Sequence, residues 1–327
     1  MQSKHRLGGV VLALLLAACN GGGGGEAGQP AGPVAGADTT TGGSLFVAEA
    51  GGYAAFSLSG NRAEVFGRQQ MADMQPPDVS ADGREVYVIQ GIRGDLVDLQ
   101  RHYTYSSYKL DVASGAQSAL FPPIEGIEAG GGRVSPDGRF MLIDWRRPGI
   151  DDPDSQRQVV IDRQGTVVAN LPPMWVHNFS RDGRIVFITH NGSIYRTSAD
   201  FRSTERVGEY PLQELPNMFD VSPDGNRIAF VNQRHVWVMN LDGSNARQLT
   251  DSITREAEPS WSPDGKSIGF IQGIFGTDVD TGSSTCREAY TISATAPLTS
   301  VPGPGARKIQ PDGRTALCSF SPFFAWR

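Results

Sequence analysis

The chain has 327 residues, 39% of them hydrophobic, and a formal net charge of −6 at pH 7. This length can hold one large all-β domain or two ordinary domains. The modest negative charge gives no electrostatic reason to expect nucleic-acid binding.

The N-terminus is typical of an export signal. Lys4 and Arg6 precede an apolar run, residues 10–16, that is too short to span a bilayer. The run ends in Leu-Ala-Ala-Cys, which resembles the bacterial lipoprotein signal, in which the cysteine thiol takes a lipid and becomes the new N-terminus. We therefore predict a signal peptide over 1–18 and lipidation of Cys19. The alternative is an ordinary secretory peptide that happens to contain a cysteine.

Residues 19–43 are rich in glycine and contain too little apolar surface to fold, so they predict a flexible tether. Asn20 follows the lipidation site. By analogy with lipoprotein sorting, an aspartate there would favour the inner membrane, so Asn20 favours the outer membrane and its periplasmic side.

Three strands are predicted next, at residues 44–48, 53–58 and 62–66, because each run is apolar or alternating and glycine or asparagine lies between them. No segment with a helical period interrupts the rest of the chain. We expect a single domain over 44–327.

One short motif then occurs five times, each time before a hydrophobic run. The copies are Ser80-Ala81-Asp82-Gly83, Ser135-Pro136-Asp137-Gly138, Ser180-Arg181-Asp182-Gly183, Ser222-Pro223-Asp224-Gly225 and Ser262-Pro263-Asp264-Gly265. The motif aspartates are 55, 45, 42 and 40 residues apart. Four strands every 40 to 45 residues are typical of β-propeller blades. We predict an all-β, six-bladed propeller of four-stranded antiparallel blades.

The sixth blade is predicted to combine both ends of the domain. The three N-terminal strands lack an innermost strand, and residues 315–322 look like an innermost strand with no partners after it. Joining them would remove two free sheet edges. We place the last motif copy at Phe320-Ser321-Pro322, and Gln310-Pro311-Asp312-Gly313 is the alternative turn.

These repeats resemble the WSPDGK-type repeats of TolB-like β-propellers, which are related to the propellers of prolyl oligopeptidase and dipeptidyl peptidase IV. The resemblance covers residues 44–327 and implies the fold. It does not imply one function, because such propellers bind, scaffold or catalyse. A TolB-like role is less expected here, since those proteins usually carry an N-terminal α/β domain where this chain has a tether.

The repeated motif is interpreted as structural. Glycine supplies positive φ and aspartate accepts from backbone amides of the turn. The residues concerned are Asp82, Gly83, Asp137, Gly138, Asp182, Gly183, Asp224, Gly225, Asp264 and Gly265. A Ser-Asp pair without a histidine at a matching offset is not a catalytic triad, so we assign no catalytic residue and no cofactor.

The residue two before each motif serine is polar, and the residue directly before it is apolar. This alternation predicts that the polar set faces the central channel while the apolar set packs between blades. The polar set is Asp78, Arg133, Asn178, Asp220, Ser260 and Ser319.

Strand alternation also places all five Asp-Gly turns on one side of the ring, here called the turn side. Three insertions between second and third strands, at 91–102, 145–157 and 272–286, are predicted as irregular loops on the opposite, mouth side. We expect binding there. The candidate residues are Arg93, Arg101, His102, Arg146, Arg147, Arg133, Asp78 and His177.

Two cysteines besides Cys19 occur in the chain, Cys286 and Cys318. Export to an oxidising compartment predicts a disulfide between them, with two free buried thiols as the alternative. In this prediction Cys286 ends an insertion, and Cys318 starts an innermost strand of the neighbouring blade.

The sequence contains two possible metal-binding patterns, and we predict a metal at neither of them. Residues 278–282 contain part of a calcium-loop pattern without its distal glutamate, and a solvated turn is the favoured interpretation. His177, His190 and His235 are expected near the mouth side, as a metal-dependent saccharide lyase or hydrolase would need. That enzyme is the alternative to our main hypothesis, a lipid-anchored scaffold that binds a protein or peptide of the cell envelope.

Overall fold

Every regular element that the structure describes is a β-strand. This computed structural model describes residues 44–49, 52–57, 62–66, 77–97, 100–125, 132–146, 156–273, 286–309, 317–318 and 324–327. Within those ranges no helix has the length and hydropathy needed to cross a membrane. The predicted signal peptide, Cys19 and the tether lie outside them.

The first sheet joins strands from both ends of the domain. Sheet 1 has the order β27-β1-β2-β3 and consists of β1 (Ser44–Glu49), β2 (Gly52–Ser57), β3 (Arg62–Phe66) and β27 (Phe324–Trp326). Its three N-terminal strands lie within one residue of the predicted bounds.

The next four sheets are consecutive antiparallel meanders, each running outward from a short innermost strand. Sheet 2 consists of β4 (Asp78–Val79), β5 (Glu85–Val97), β6 (Gln100–Asp111) and β7 (Gln117–Glu125). Sheet 3 consists of β8 (Gly132–Val134), β9 (Phe140–Arg146), β10 (Gln156–Asp162) and β11 (Val167–Leu171). Sheet 4 consists of β12 (Val176–Phe179), β13 (Ile185–Ile188), β14 (Ser193–Thr197) and β15 (Thr204–Glu209). Sheet 5 consists of β16 (Phe219–Val221), β17 (Arg227–Asn232), β18 (His235–Asn240) and β19 (Arg247–Gln248).

The last sheet has five strands. Sheet 6 consists of β21 (Glu256–Trp261), β22 (Ser267–Gln272), β23 (Cys286–Ser293), β25 (Ala306–Ile309) and β26 (Leu317–Cys318), with both β25 and β26 pairing with β23. A parallel pair, β20 (Thr250–Ser252) with β24 (Thr299–Val301), links it to sheet 5. The chain is thus an all-β protein, a β-propeller with five blades of four-stranded antiparallel sheet.

The hydrophobic core lies between neighbouring sheets. Five clusters of buried side chains each combine residues of two consecutive sheets, from the pair of sheets 1 and 2 to the pair of sheets 5 and 6. Strand alternation causes this: Met141 and Ile143 pack towards sheet 2, whereas Leu142 between them packs towards sheet 4. Burial between blades therefore ties each sheet to the next along the ring.

The five repeated motifs form the connections between first and second strands. In each copy the serine hydroxyl donates to the aspartate at 2.5–2.7 Å, and the glycine has φ between 65° and 81°. Partial burial acts to raise the pKa of Asp224. The hydrogen bonds from Ser222 and the Asn226 amide outweigh it, so the pKa is lowered. The motif carboxylates therefore stabilise the turns between first and second strands.

One sequence prediction is wrong in this part of the chain. The strand that completes sheet 1 is β27, not residues 315–322, and β26 within that segment pairs with β23 of sheet 6. Residues 310–313 and 320–322, the two predicted positions of the last motif, lie outside the described residues. β27 takes the innermost place of sheet 1, where both Ala325 and Trp326 are buried.

The insertion at 91–102 was predicted as an irregular loop, and this is also wrong. β5 and β6 pair as far as Val97 with Gln100, so most of it is a long hairpin.

Candidate functional site

A polar cavity of about 290 Å³ lies where the innermost strands meet. Its wall is formed by side chains of β4, β8, β12, β16, β21 and β27 and by the residues that lead into them. The lining includes the predicted channel residues Asp78, Arg133, Asn178, Asp220 and Ser260. The sixth position is occupied by Ala325; the predicted Ser319 lies outside the described residues.

Each polar channel residue bonds to the next innermost strand. Asp78 Oδ2 accepts from the Val134 amide at 2.6 Å, and Asp220 Oδ2 accepts from the Trp261 amide at 2.9 Å. The same position in the other strands is used in related ways. Asn178 Nδ2 donates to the Phe219 carbonyl at 2.8 Å, and Ser260 Oγ accepts from the Trp326 amide at 2.9 Å. The channel residues therefore connect the blades as well as lining the cavity.

Two ion pairs lie in the wall. Arg133 Nε is 3.2 Å from Asp78 Oδ1, and Arg133 Nη2 also donates to Asn178 Oδ1 at 3.0 Å. On the other side Arg327 Nη1 is 3.6 Å from Asp220 Oδ2. Burial raises the pKa of Asp78, although Arg133 and the Val134 amide act in the opposite direction. The cavity thus presents paired charges of both signs.

Arg181 crosses the ring on the turn side. It occupies the second position of the sheet 4 motif, where the other copies have proline or alanine. Its Nη2 donates to the carbonyls of Trp326, at 3.3 Å, and Trp261, at 3.5 Å, in sheets 1 and 6. Burial, and then the charge of Arg327, lowers the pKa of Arg181 to about 10, while Asp220 acts to raise it. The guanidinium therefore ties three sheets together at that end of the channel.

The three histidines considered as metal ligands have different surroundings. His177 lines the cavity. The His190 ring lies edge-on to Trp175, with centroids 5.5 Å apart, and His235 Nδ1 is 4.0 Å from Glu256 Oε2. Within the described part of the chain, no three His, Cys, Asp or Glu side chains could hold a metal ion together.

The other candidate residues lie on strand extensions of the mouth side or outside the described ranges. Arg93 lies in β5, Arg101 and His102 lie in β6, and Arg146 ends β9. Arg147 and the calcium-like residues 278–282 are not among the described residues.

The cysteines lie on paired strands of one sheet, and Cys286 lies directly opposite Cys318 in the antiparallel register of β23 and β26. The prediction that Cys318 starts an innermost strand of the neighbouring blade is therefore wrong, because β26 pairs with β23 of sheet 6. Opposite residues of antiparallel strands have Cα atoms about 4.5–5.5 Å apart, which is within the range that a disulfide spans.

The sequence did not single out three residues in or near the site, Trp175, Arg181 and Arg327. Trp175 and Arg327 carry no repeat signal of their own, since both lie at strand ends. Arg181 does carry one: it is the only charged residue at the second position of the five motif copies.

Comparison with known proteins identifies partial relatives. No protein-family model matches the chain. The Tol-Pal system protein TolB of Anaeromyxobacter dehalogenans is 31% identical over 123 residues, which are 36% of this chain and 26% of that protein. The uncharacterized peptidase YuxL of Bacillus subtilis is 35% identical over 75 residues, 21% of this chain and 11% of that protein. The chain thus matches about a quarter or less of the length of these relatives.

Among solved structures, TolB from Acinetobacter baumannii superposes with a TM-score of 0.52 at 18% identity. The match covers 87% of this chain and 66% of that chain, so it concerns the fold. Together these similarities confirm the resemblance to TolB-like β-propellers that the repeats predicted.

Proposed function

We propose that this TolB-like β-propeller is a lipid-anchored binding scaffold of the cell envelope, which holds a segment of a protein or peptide at the mouth of its channel. One observation carries the proposal: the polar cavity of about 290 Å³ is walled by the innermost strands and contains two Arg–Asp pairs. Concave sites with a few convergent polar groups are where propellers and other rings receive ligands.

The proposal includes a sixth blade. The order β21-β22-β23-β25 in sheet 6 repeats the meander of the four-stranded blades, and β26 adds to it. Counted this way, the ring has six blades, with sheet 1 closing it from both termini.

Access is proposed from the mouth side. His177, Asn217 and Glu258 line the cavity and precede the channel residues Asn178, Asp220 and Ser260 along the chain, on the side remote from the Asp-Gly turns. Arg181 occupies the turn-side end. A ligand would therefore enter between the loops and hairpins that the sequence predicted as the binding face.

Arg133 is the residue best placed to contact such a ligand. Its side chain lines the cavity and is 28% exposed, whereas the Arg327 side chain on the other ion pair is 14% exposed. A guanidinium has five N–H donors, more than its contacts with Asp78 and Asn178 use, so an oxygen of a ligand can accept from the remaining ones. A peptide carbonyl or carboxylate has the required chemistry.

The test is a pull-down of the lipidated protein from its own envelope after cross-linking. We expect wild type and Arg84→Ala to recover the same partner, because the Arg84 side chain is 83% exposed on the turn side. Arg133→Gln should lose it at a temperature where circular dichroism shows that the variant is still folded, because removing the partner of Asp78 also lowers stability. Equal recovery with Arg133→Gln would contradict the proposal. Turnover of a saccharide that depends on a bound divalent metal would support the enzyme instead.

Replacement of Cys19 tests the anchor. Cys19→Ala removes the thiol that would carry the lipid, so we expect the protein to move from the membrane fraction to the soluble periplasmic fraction. Fractionation and intact-mass measurement of the mature chain check this. Continued membrane association of Cys19→Ala, with an unchanged mass, would place the anchor elsewhere.

The disulfide is a second prediction. Directly opposed cysteines on β23 and β26 should be joined in exported protein, and the bridge should stabilise the fold by about 2–4 kcal/mol. Non-reducing peptide mass spectrometry should find Cys286 linked to Cys318, and Cys286→Ser with Cys318→Ser should lower the urea midpoint. Two thiols that alkylate without reductant would refute the pairing.

A further inference from the structure

The indole of Trp175 is exposed and yet fixed. It is 46% exposed, whereas Trp261 is 0% and Trp326 is 3% exposed. The backbone amide of Trp175 donates to the Ile188 carbonyl at 2.8 Å, and its Nε1 donates to the Pro216 carbonyl at 2.9 Å. The His190 ring packs edge-on at 5.5 Å with an interplanar angle of 77°. These contacts orient the ring without covering it.

Trp175 and its partner Pro216 each directly precede residues of the cavity wall. The two residues that follow Trp175, Val176 and His177, line the cavity wall. Pro216 directly precedes Asn217, which lines the same wall from sheet 5. The indole therefore lies at the junction of sheets 4 and 5, where an occupant of the cavity would leave it.

The indole contacts one proline and lies close in sequence to two others. Its N–H is already used by the Pro216 carbonyl, and Pro172, Pro173 and Pro216 have no amide hydrogen. Pro172 and Pro173 are exposed. A saccharide ring would need several fixed polar partners at such a platform, whereas a proline ring or an aliphatic side chain needs only the apolar face.

We propose that Trp175 is the anchor of the interface: an extended peptide segment of the partner places a proline or an aliphatic side chain on the exposed indole and passes from there into the cavity. This rests on the proposed binding function. Pre-ordered tryptophans are enriched among the residues that dominate binding energy, because little conformational freedom is lost when they are covered. Aromatic surfaces that receive extended, proline-containing segments use the same physics.

A random 12-residue phage-displayed peptide library, selected on the complete protein, provides the probe. We expect peptides that contain proline or an aliphatic residue at a fixed position. Their Kd should rise tenfold or more for Trp175→Ala and much less for Trp175→Phe, which keeps an aromatic face. Ile253→Ala is the matched control, since Ile253 is 93% exposed and lies in another loop, and its Kd should not change. Bound peptide should also reduce the quenching of tryptophan emission by acrylamide.

The outcomes separate this inference from the proposed function. If Arg133→Gln loses the envelope partner while Trp175→Ala keeps it, the channel binds as proposed and the anchor is wrong. Selected peptides that bind Trp175→Ala with unchanged Kd would overturn the anchor directly. Retention of oligosaccharides by wild type, but not by Trp175→Ala, would assign the platform to a saccharide and overturn the peptide as its occupant.

Discussion

Removal of residues 324–327 is expected to abolish cooperative folding of the propeller. β27 pairs with β1 through Leu45 with Trp326 and Phe46 with Ala325, and the backbone of Ser44 exchanges two hydrogen bonds with Arg327. Without β27, the inner edge of β1 becomes a free edge and the flank of β21 is exposed. Sheet 1 would then keep its packing against sheet 2 but lose the contacts of β27 with sheet 6.

The expected loss approaches the whole stability of the domain. Truncating one buried tryptophan costs about 3–5 kcal/mol, and Trp326 is 3% exposed. The bonds of Trp326 to Ser260 and of Ser44 to Arg327 add to this, against a total of about 5–15 kcal/mol for a typical protein. Urea unfolding followed by circular dichroism should show a broad transition, and size exclusion should show association through the free edge.

Trp326→Ala is the graded control, because it removes the side chain and keeps the strand. We expect it to unfold cooperatively at a lower urea midpoint. A four-residue truncation that unfolds like wild type would mean that the ring is closed by other contacts.

The sequence predicted the parts of the fold that depend on local pattern. The Asp-Gly turns and the alternation before them are written into each repeat. The strands that flank each turn in sheets 2 to 6 and the channel-facing positions could therefore be found without coordinates. These positions are Asp78, Arg133, Asn178, Asp220 and Ser260. Each such residue lies two positions before a motif serine, and the register of the turn decides where it points.

Long-range pairing could not be predicted in the same way. β27 pairs with β1 at the opposite end of the domain, and β26 pairs with a strand that lies more than 20 residues earlier in the chain, so neither pairing has a local signal. The centre of the site also depends on contacts between side chains and backbone groups of sheets that are far apart in the sequence. The bonds of Arg181 to the carbonyls of Trp261 and Trp326 join residues 80 and 145 positions apart. Only the folded ring brings them together.

Replacement of Asp220 by alanine is expected to destabilise the protein by about 3–5 kcal/mol, because it breaks a buried bridge between sheets 5 and 6. Asp220 Oδ2 accepts from the Trp261 amide at 2.9 Å and from Ser260 Oγ at 3.3 Å, and it neutralises Arg327. Alanine would leave a guanidinium that is only 14% exposed without its carboxylate, and a buried amide without an acceptor.

Further variants separate the contribution of the ion pair from that of the hydrogen bonds in the free energy lost by Asp220→Ala. Asp220→Asn keeps an oxygen for the Trp261 amide and should cost less than Asp220→Ala. Asp251→Ala, an exposed aspartate of β20, should change the free energy of unfolding by less than about 0.5 kcal/mol. In a double-mutant cycle, Arg327→Ala should recover part of the loss in Asp220→Ala, because the unpaired cation is gone.

If Asp220→Ala costs no more than Asp251→Ala in urea unfolding, the carboxylate does not bridge the blades and is available to a ligand. If it costs several kcal/mol, this ion pair belongs to the ring, which leaves the Arg133 side of the cavity as the side for binding.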